Sequence, residues 1–197
     1  MRASLISLAA VLVSAPTWAS AAVIPLDNIV RDDNPGCTAD SFGSFDWTVS
    51  AIVYNTSITF STPAHQIPSG IVQFNLTNPA LTYTAVCEAY SSQLTDFFYG
   101  NIVYSCTEPA NATTPTKFTF DAGTSLLRVN QTWTCSDEDA AYPDTFTYAG
   151  AVNLTLDCTA SSYQNANWTM GEIYSRNTTF CSQEDVIISP YLATAVA

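Results

Sequence analysis

Residues 125–135, Ser-Leu-Leu-Arg-Val-Asn-Gln-Thr-Trp-Thr-Cys, alternate so regularly that few folds can accept them. Successive side chains of a strand point to opposite faces. Leu127, Val129, Gln131, Trp133 and Cys135 therefore share one face, and Leu126, Arg128, Asn130, Thr132 and Thr134 the other. The first face is largely apolar and the second largely polar, as in a strand with a core on one side and water on the other. Residues 146–158 repeat the design: Val152, Leu154, Leu156 and Cys158 oppose Asn153, Thr155 and Asp157. Asn130 and Asn153 each open an Asn-X-Thr sequon, and both fall on polar faces. A glycan can only project into solvent, so sequon and periodicity agree on which side is out. With Lys117–Asp121 ahead of them, these runs form one wall of an antiparallel β-sheet domain.

The rest of the chain reads the same way. Residues 45–54 alternate, with Trp47, Val49, Ala51 and Val53 against Asp46, Thr48, Ser50 and Ile52. Residues 58–61 are a short strand, and residues 62–70, with two prolines and a glycine, a loop. Residues 71–76 are a strand with Val72, Phe74 and Leu76 inward and Asn75 outward. Asn78-Pro79 marks a turn. Residues 81–90 and 97–106 make two longer strands, residues 107–116 and 136–145 polar loops, and Gly150 a bulge or bend within its strand. Beyond Cys158 the periodicity fades. No amphipathic helix, heptad or internal repeat is apparent. Eight or so short strands separated by turns describe a single antiparallel β-barrel or sandwich, an all-β fold.

The N-terminus stands apart. Arg2 supplies a positive flank, residues 5–13 a short apolar stretch, and Ala19-Ser20-Ala21 a small-residue cleavage site. Residues 1–21 are thus expected to be a secretory signal peptide, too short in its apolar part to span a bilayer. Residues 22–44 are a polar lead-in, 45–158 the β domain, and 159–197 a glycan-rich tail tied back by Cys181. The expected location is extracellular.

Six cysteines in an exported chain imply disulfides, and six allow fifteen pairings. Spacing excludes zinc knuckles. Seven sequons, at Asn55, Asn75, Asn111, Asn130, Asn153, Asn167 and Asn177, point to a glycoprotein. The formal net charge of −12 leaves Arg31, Lys117, Arg128 and Arg176 as the only bases after removal of the leader. Without a basic patch, neither nucleic acid nor an anionic membrane is an expected partner.

Catalysis finds little support. His65 is the sole histidine and lies in a proline-flanked loop, where a solvated side chain is the simplest reading. No Gly-X-Ser-X-Gly elbow presents a serine, so a hydrolase triad is not expected. Asp121-Ala122-Gly123-Thr124-Ser125 faintly echoes an aspartic-protease loop, but that chemistry needs two such aspartates; a turn is the better reading. Asp137, Glu138, Asp139 and Asp144 lack the spacing of a calcium loop and read as a solvated acidic turn. No cofactor, metal or catalytic residue is expected. Tyr54, Tyr90, Tyr148, Trp168 and the run Phe97-Phe98-Tyr99 offer rings for core packing or for stacking on a sugar or flavonoid-like ligand.

Taken in order, an N-terminal cysteine, Trp47-Thr48-Val49, Cys87, Tyr104-Ser105-Cys106, Phe118-Thr119-Phe120-Asp121, residues 125–131 and residues 154–158 resemble the fungal secreted family typified by the Alternaria major allergen. The resemblance covers residues 37–158. It implies an eleven-stranded β-barrel and a non-enzymatic, allergen- or effector-like protein that contacts a host protein or a small phenolic ligand. A cell-wall-associated or carbohydrate-binding glycoprotein is the alternative. The resemblance also implies a Cys87–Cys106 hairpin disulfide, and matches Cys37 to a cysteine able to cross-link a homodimer. An even cysteine count equally lets Cys37 pair within the chain. Cys135–Cys158, joining neighbouring strands, and Cys37–Cys181, clamping lead-in to tail, are then the preferred bridges. Cys158–Cys181 with Cys37–Cys135 is the competing set.

Overall fold

The computed structural model describes residues 36–108 and 115–196. The expected signal peptide, Arg31 and Asn111 lie outside the described residues. Two antiparallel sheets account for eleven strands among them. The first sheet comprises β1 (Trp47–Thr62), β2 (His65–Thr77), β3 (Thr84–Ser91), β8 (Asp157–Gln164) and β9 (Ser175–Gln183), in the order β3-β2-β1-β9-β8, with β10 (Val186–Ile188) added on β1. The second comprises β4 (Tyr104–Ser105), β5 (Lys117–Asp121), β6 (Leu126–Cys135), β7 (Asp144–Asn153) and β11 (Leu192–Val196), in the order β11-β7-β6-β5-β4.

The core lies between the sheets. Val49, Ile52, Val72, Phe74 and Leu76 of the first meet Phe118, Phe120, Leu127 and Val129 of the second. Phe74 and Phe118 cross edge to face with centroids 4.9 Å apart, the arrangement aromatic quadrupoles favour. β6 buries Leu127, Val129, Gln131, Trp133 and Cys135 and exposes Arg128 and Asn130, as its alternation predicts. The sheets approach each other at two seams without closing into a barrel. At one, Val86 and Thr107 exchange both backbone hydrogen bonds (2.9 and 2.7 Å), and Cys87 bridges to Cys106. At the other, the chain steps from β10 on β1 to β11 on β7.

Several elements differ from expectation for local physical reasons. β1 and β2 form one long hairpin, so the short strand expected at 58–61 belongs to β1, and the loop expected at 62–70 shrinks to a turn at 63–64 with strand on either side. Pro68 is accommodated because β3 pairs with β2 only from Gly70 onward, so nothing on that side needs its missing N–H. A bulge between Ser50 and Val53, with Ala51 at φ +52°, reverses the inward phase of β1. Ile52 is buried in place of the expected Ala51 and Val53. The strand expected at 97–106 survives only as Tyr104-Ser105, because Phe97 (φ +62°) and Gly100 (φ +70°) turn the backbone out of the extended region.

The run at 146–158 is two strands. β7 loses its partner where β6 begins, at Leu126 opposite Asn153. Residues 154–156 then cross to the first sheet and β8 starts. The segment after Cys158, read as a tail, contributes β9 to the middle of that sheet and β10 and β11 beyond it. Gly150 marks no bulge: its register with Val129 is continuous, and its missing side chain makes room for Ile188 and Trp47.

The lead-in holds a short helix, α1 (Cys37–Phe42), which plugs one end of the sandwich. There Ala80, Trp133, Cys135 and Phe146 form a second cluster with Phe45 and Tyr148. Trp133 Nε1 donates to Ser41 Oγ (2.8 Å), Ser41 Oγ donates to the Cys37 carbonyl (2.7 Å), and Tyr148 OH donates to the Ser41 carbonyl (2.6 Å).

Candidate functional site

The end of the sandwich away from α1 stays open. β1 and β9 run on past the second sheet there, and the loop after β3 folds over their inner face. Between them lies a cleft of about 340 Å³ lined by Tyr54, Ile58, Asp96, Phe97, Ala122 and Asn177, with the Cys158–Cys181 bridge forming part of its wall. The covering loop is conformationally costly. Thr95 (φ +78°) and Phe97 (φ +62°) both adopt the left-handed region, which for a β-branched or bulky residue is a true outlier. Such strain persists where surrounding contacts over-determine it, and it concentrates at functional sites.

Those contacts are present. The Phe97 ring sits on Gly70, where any β-carbon would come within 2.9 Å of it. Ser91 Oγ donates to the Phe97 carbonyl, Gly100 N to Phe120 O (2.9 Å) and Ala122 N to Phe98 O (2.9 Å). The result is Asp96 fixed at the rim, facing Tyr54. The Tyr54 ring packs edge-on against Phe98 and Phe120. Burial, reinforced by the Asp96 carboxylate, pushes the Tyr54 phenol up to about 12, so it stays protonated at any physiological pH. The cleft thus combines aromatic and aliphatic walls, threonine hydroxyls and one carboxylate acceptor. No base lines it.

The residues singled out from sequence scatter differently. Phe97 and Phe98 are both buried, which an ordinary strand could not achieve for neighbours; the positive φ at Phe97 permits it. Tyr148 is engaged with α1 and Trp168 with Tyr174 and the Glu172 carbonyl; Tyr90 is exposed on the outer face of β3. His65 is exposed and pairs with Ser61 Oγ (2.9 Å). Asp121 Oδ1 accepts from Gly123 N (3.0 Å), a plain turn. In the acidic loop Asp137 accepts from Thr38 N and Oγ1 (2.7 Å to the latter), which holds its carboxyl below the usual range and ties the loop to α1.

All six cysteines are bridged: Cys87 meets Cys106 as the resemblance implies, and the competing set replaces the preferred Cys135–Cys158 and Cys37–Cys181. The pairs are Cys37–Cys135, Cys87–Cys106 and Cys158–Cys181. Cys135 and Cys158 belong to different sheets, which their apparent sequence neighbourhood concealed. Cys158 lies directly opposite Cys181 in the β8–β9 register. Cys37 is consumed within the chain, leaving no free thiol there for a covalent dimer. Among the sequons, Asn130, Asn153, Asn167 and Asn177 are exposed, and Asn55 and Asn75 half-buried. Asn177 lines the cleft, a position that the featureless periodicity past Cys158 did not disclose.

The family model described as Alternaria alternata allergen 1 matches residues 45–181. No curated protein and no solved structure matches the chain.

Proposed function

The chain belongs to the Alternaria alternata allergen 1 family, and from that premise we propose that it is a secreted, non-enzymatic glycoprotein whose open-ended cleft binds a small phenolic ligand. The observation behind this reading is the strained loop holding Asp96 opposite Tyr54 over an apolar floor. A volume of about 340 Å³ is at the lower end of small-ligand sites and suits one or two rings. An ionised carboxylate only accepts hydrogen bonds, so Asp96 favours a ligand that donates hydroxyls. The absence of a lining base disfavours anions.

Titration of the secreted protein with catechol and a flavonol, followed by calorimetry, tests the reading. Binding should be saturable with one site. Asp96→Asn should weaken it about tenfold or more, the loss expected for a charge-assisted hydrogen bond of roughly 1.5 kcal/mol or above. Ile58→Trp should abolish it by filling the floor. Wild-type protein that ignores both phenols defeats the reading. If it also pulls down on chitin or glucan, the carbohydrate-binding alternative takes over; retention of a host protein instead would favour the effector-like one.

A further inference from the structure

Alternation along β1 gives Tyr54, Thr56 and Ile58 to the cleft and turns Asn55, Ser57 and Thr59 to the opposite, outer face of the first sheet. On that face Asn55 stands directly opposite Ile71 of β2 and Phe180 of β9. Opposed residues in an antiparallel ladder have β-carbons only about 5 Å apart, so Ile71 and Phe180 flank the Asn55 side chain. Phe180 is 53 % exposed, an apolar ring left open to water. A depression of about 300 Å³ surrounds the three residues, with Ser57, Ser69 and Thr178 at its polar edge. Asn55 Oδ1 is buried there and accepts no hydrogen bond, an uncompensated cost that native structures seldom leave standing.

Asn55-Thr56-Ser57 is a sequon, and no other sequon asparagine among the described residues has these surroundings. In their ladders Asn75 faces Ser50 and Val86, Asn130 faces Lys117 and Ala149, Asn153 faces Leu126, and Asn177 faces Ile58 and Ser162. Among the described sequon asparagines, Asn55 alone faces an aromatic ring across a ladder.

We infer that Asn55 carries an N-glycan whose first sugar, an N-acetylglucosamine, lies in this depression with its apolar C–H face on Phe180. The bond forms between Asn55 Nδ2 and the anomeric carbon of a lipid diphosphate-linked oligosaccharide; the carbon–oxygen bond to the diphosphate breaks, the lipid diphosphate leaves, and the Nδ2 proton passes to solvent. The seated sugar covers Ile71 and Phe180, removing apolar surface from water. This glycan is part of the fold.

The test uses the protein secreted from a glycosylating eukaryotic host. Glycopeptide mass spectrometry should find Asn55 occupied. Removing the glycan through Asn55→Gln, or through Ser57→Ala, which keeps the asparagine, should each lower Tm by roughly 2–4 °C, as about 1 kcal/mol does in a domain of this size. Phe180→Ala should lower Tm similarly in glycosylated protein. In the Ser57→Ala background it should change Tm little, because the partner of the ring is already gone. Trimming the glycan to its first sugar should leave Tm unchanged. An unmodified Asn55 overturns the inference. So does a Phe180→Ala penalty equal with and without the glycan, which would make Phe180 an ordinary packing residue. These readouts are independent of phenol binding, which takes place on the other face of the sheet.

Discussion

Ser41 shows how much can rest on one hydroxyl. It is fully buried in α1, accepts the Trp133 indole hydrogen bond, and donates to its own helix at Cys37. Ser41→Ala would leave Trp133 Nε1, itself buried, with no acceptor. A buried donor stripped of its partner costs about 1–3 kcal/mol. Urea denaturation should show that loss as a lower midpoint with an unchanged slope, and an unchanged midpoint would mean that the indole finds another acceptor. The burial of Gln131 follows the same logic: its Oε1 accepts from Asn78 Nδ2 (2.9 Å), and Asn78 Oδ1 in turn accepts from Ala80 N (3.0 Å). Alternation alone placed Gln131 inward. That a glutamine is tolerated there depended on Asn78, 53 residues away, which no local pattern could announce.

Among the elements, β10 is only three residues long yet among the most consequential. Its Ile188 is buried against Trp47 and lies over Gly150 of β7. A β-carbon on residue 150 would fall 2.5 Å from Ile188 Cγ2 and 3.1 Å from Trp47 Cζ3. Gly150→Val should therefore destabilise by about 1–3 kcal/mol through overpacking, although valine is the better strand former. Amide exchange should locate the damage in Val186–Ile188; uniform loss of protection across the domain would contradict this. Strand β6 was legible because its partner β7 persists along its whole length. The 146–158 run misled because alternation reports which way side chains point and says nothing of where a ladder partner ends. β1 misled at a bulge, where one extra residue swaps the faces.

On the scale of the whole molecule, the disulfides divide the labour. Cys87–Cys106 ties the two sheets at a seam, Cys158–Cys181 holds edge strand β8 to β9, and Cys37–Cys135 fastens α1 over the closed end. Loop-closure entropy grows with the span enclosed. The separations of 19, 23 and 98 residues correspond to roughly 3, 3 and 5 kcal/mol in the chain-entropy account. Paired Cys→Ser variants at 37 and 135 should thus lower the denaturation midpoint most. Peptide mapping of the oxidised protein should recover these three pairs, and a Cys135–Cys158 peptide would refute the topology.

Alternation and sequon placement by themselves determined an all-β, outwardly polar chain, because strand periodicity is a local consequence of backbone geometry, and the six cysteines of an exported chain announced disulfides. The resemblance to the family rested instead on an ordered set of short motifs, among them Trp47-Thr48-Val49 and Tyr104-Ser105-Cys106. Which cysteines meet, how residues after 158 enter the first sheet, and how a loop at 95–97 confronts Tyr54 were decided only by tertiary structure. Each depends on which strands become neighbours and on how many residues separate them along the chain. A two-residue period carries no record of either.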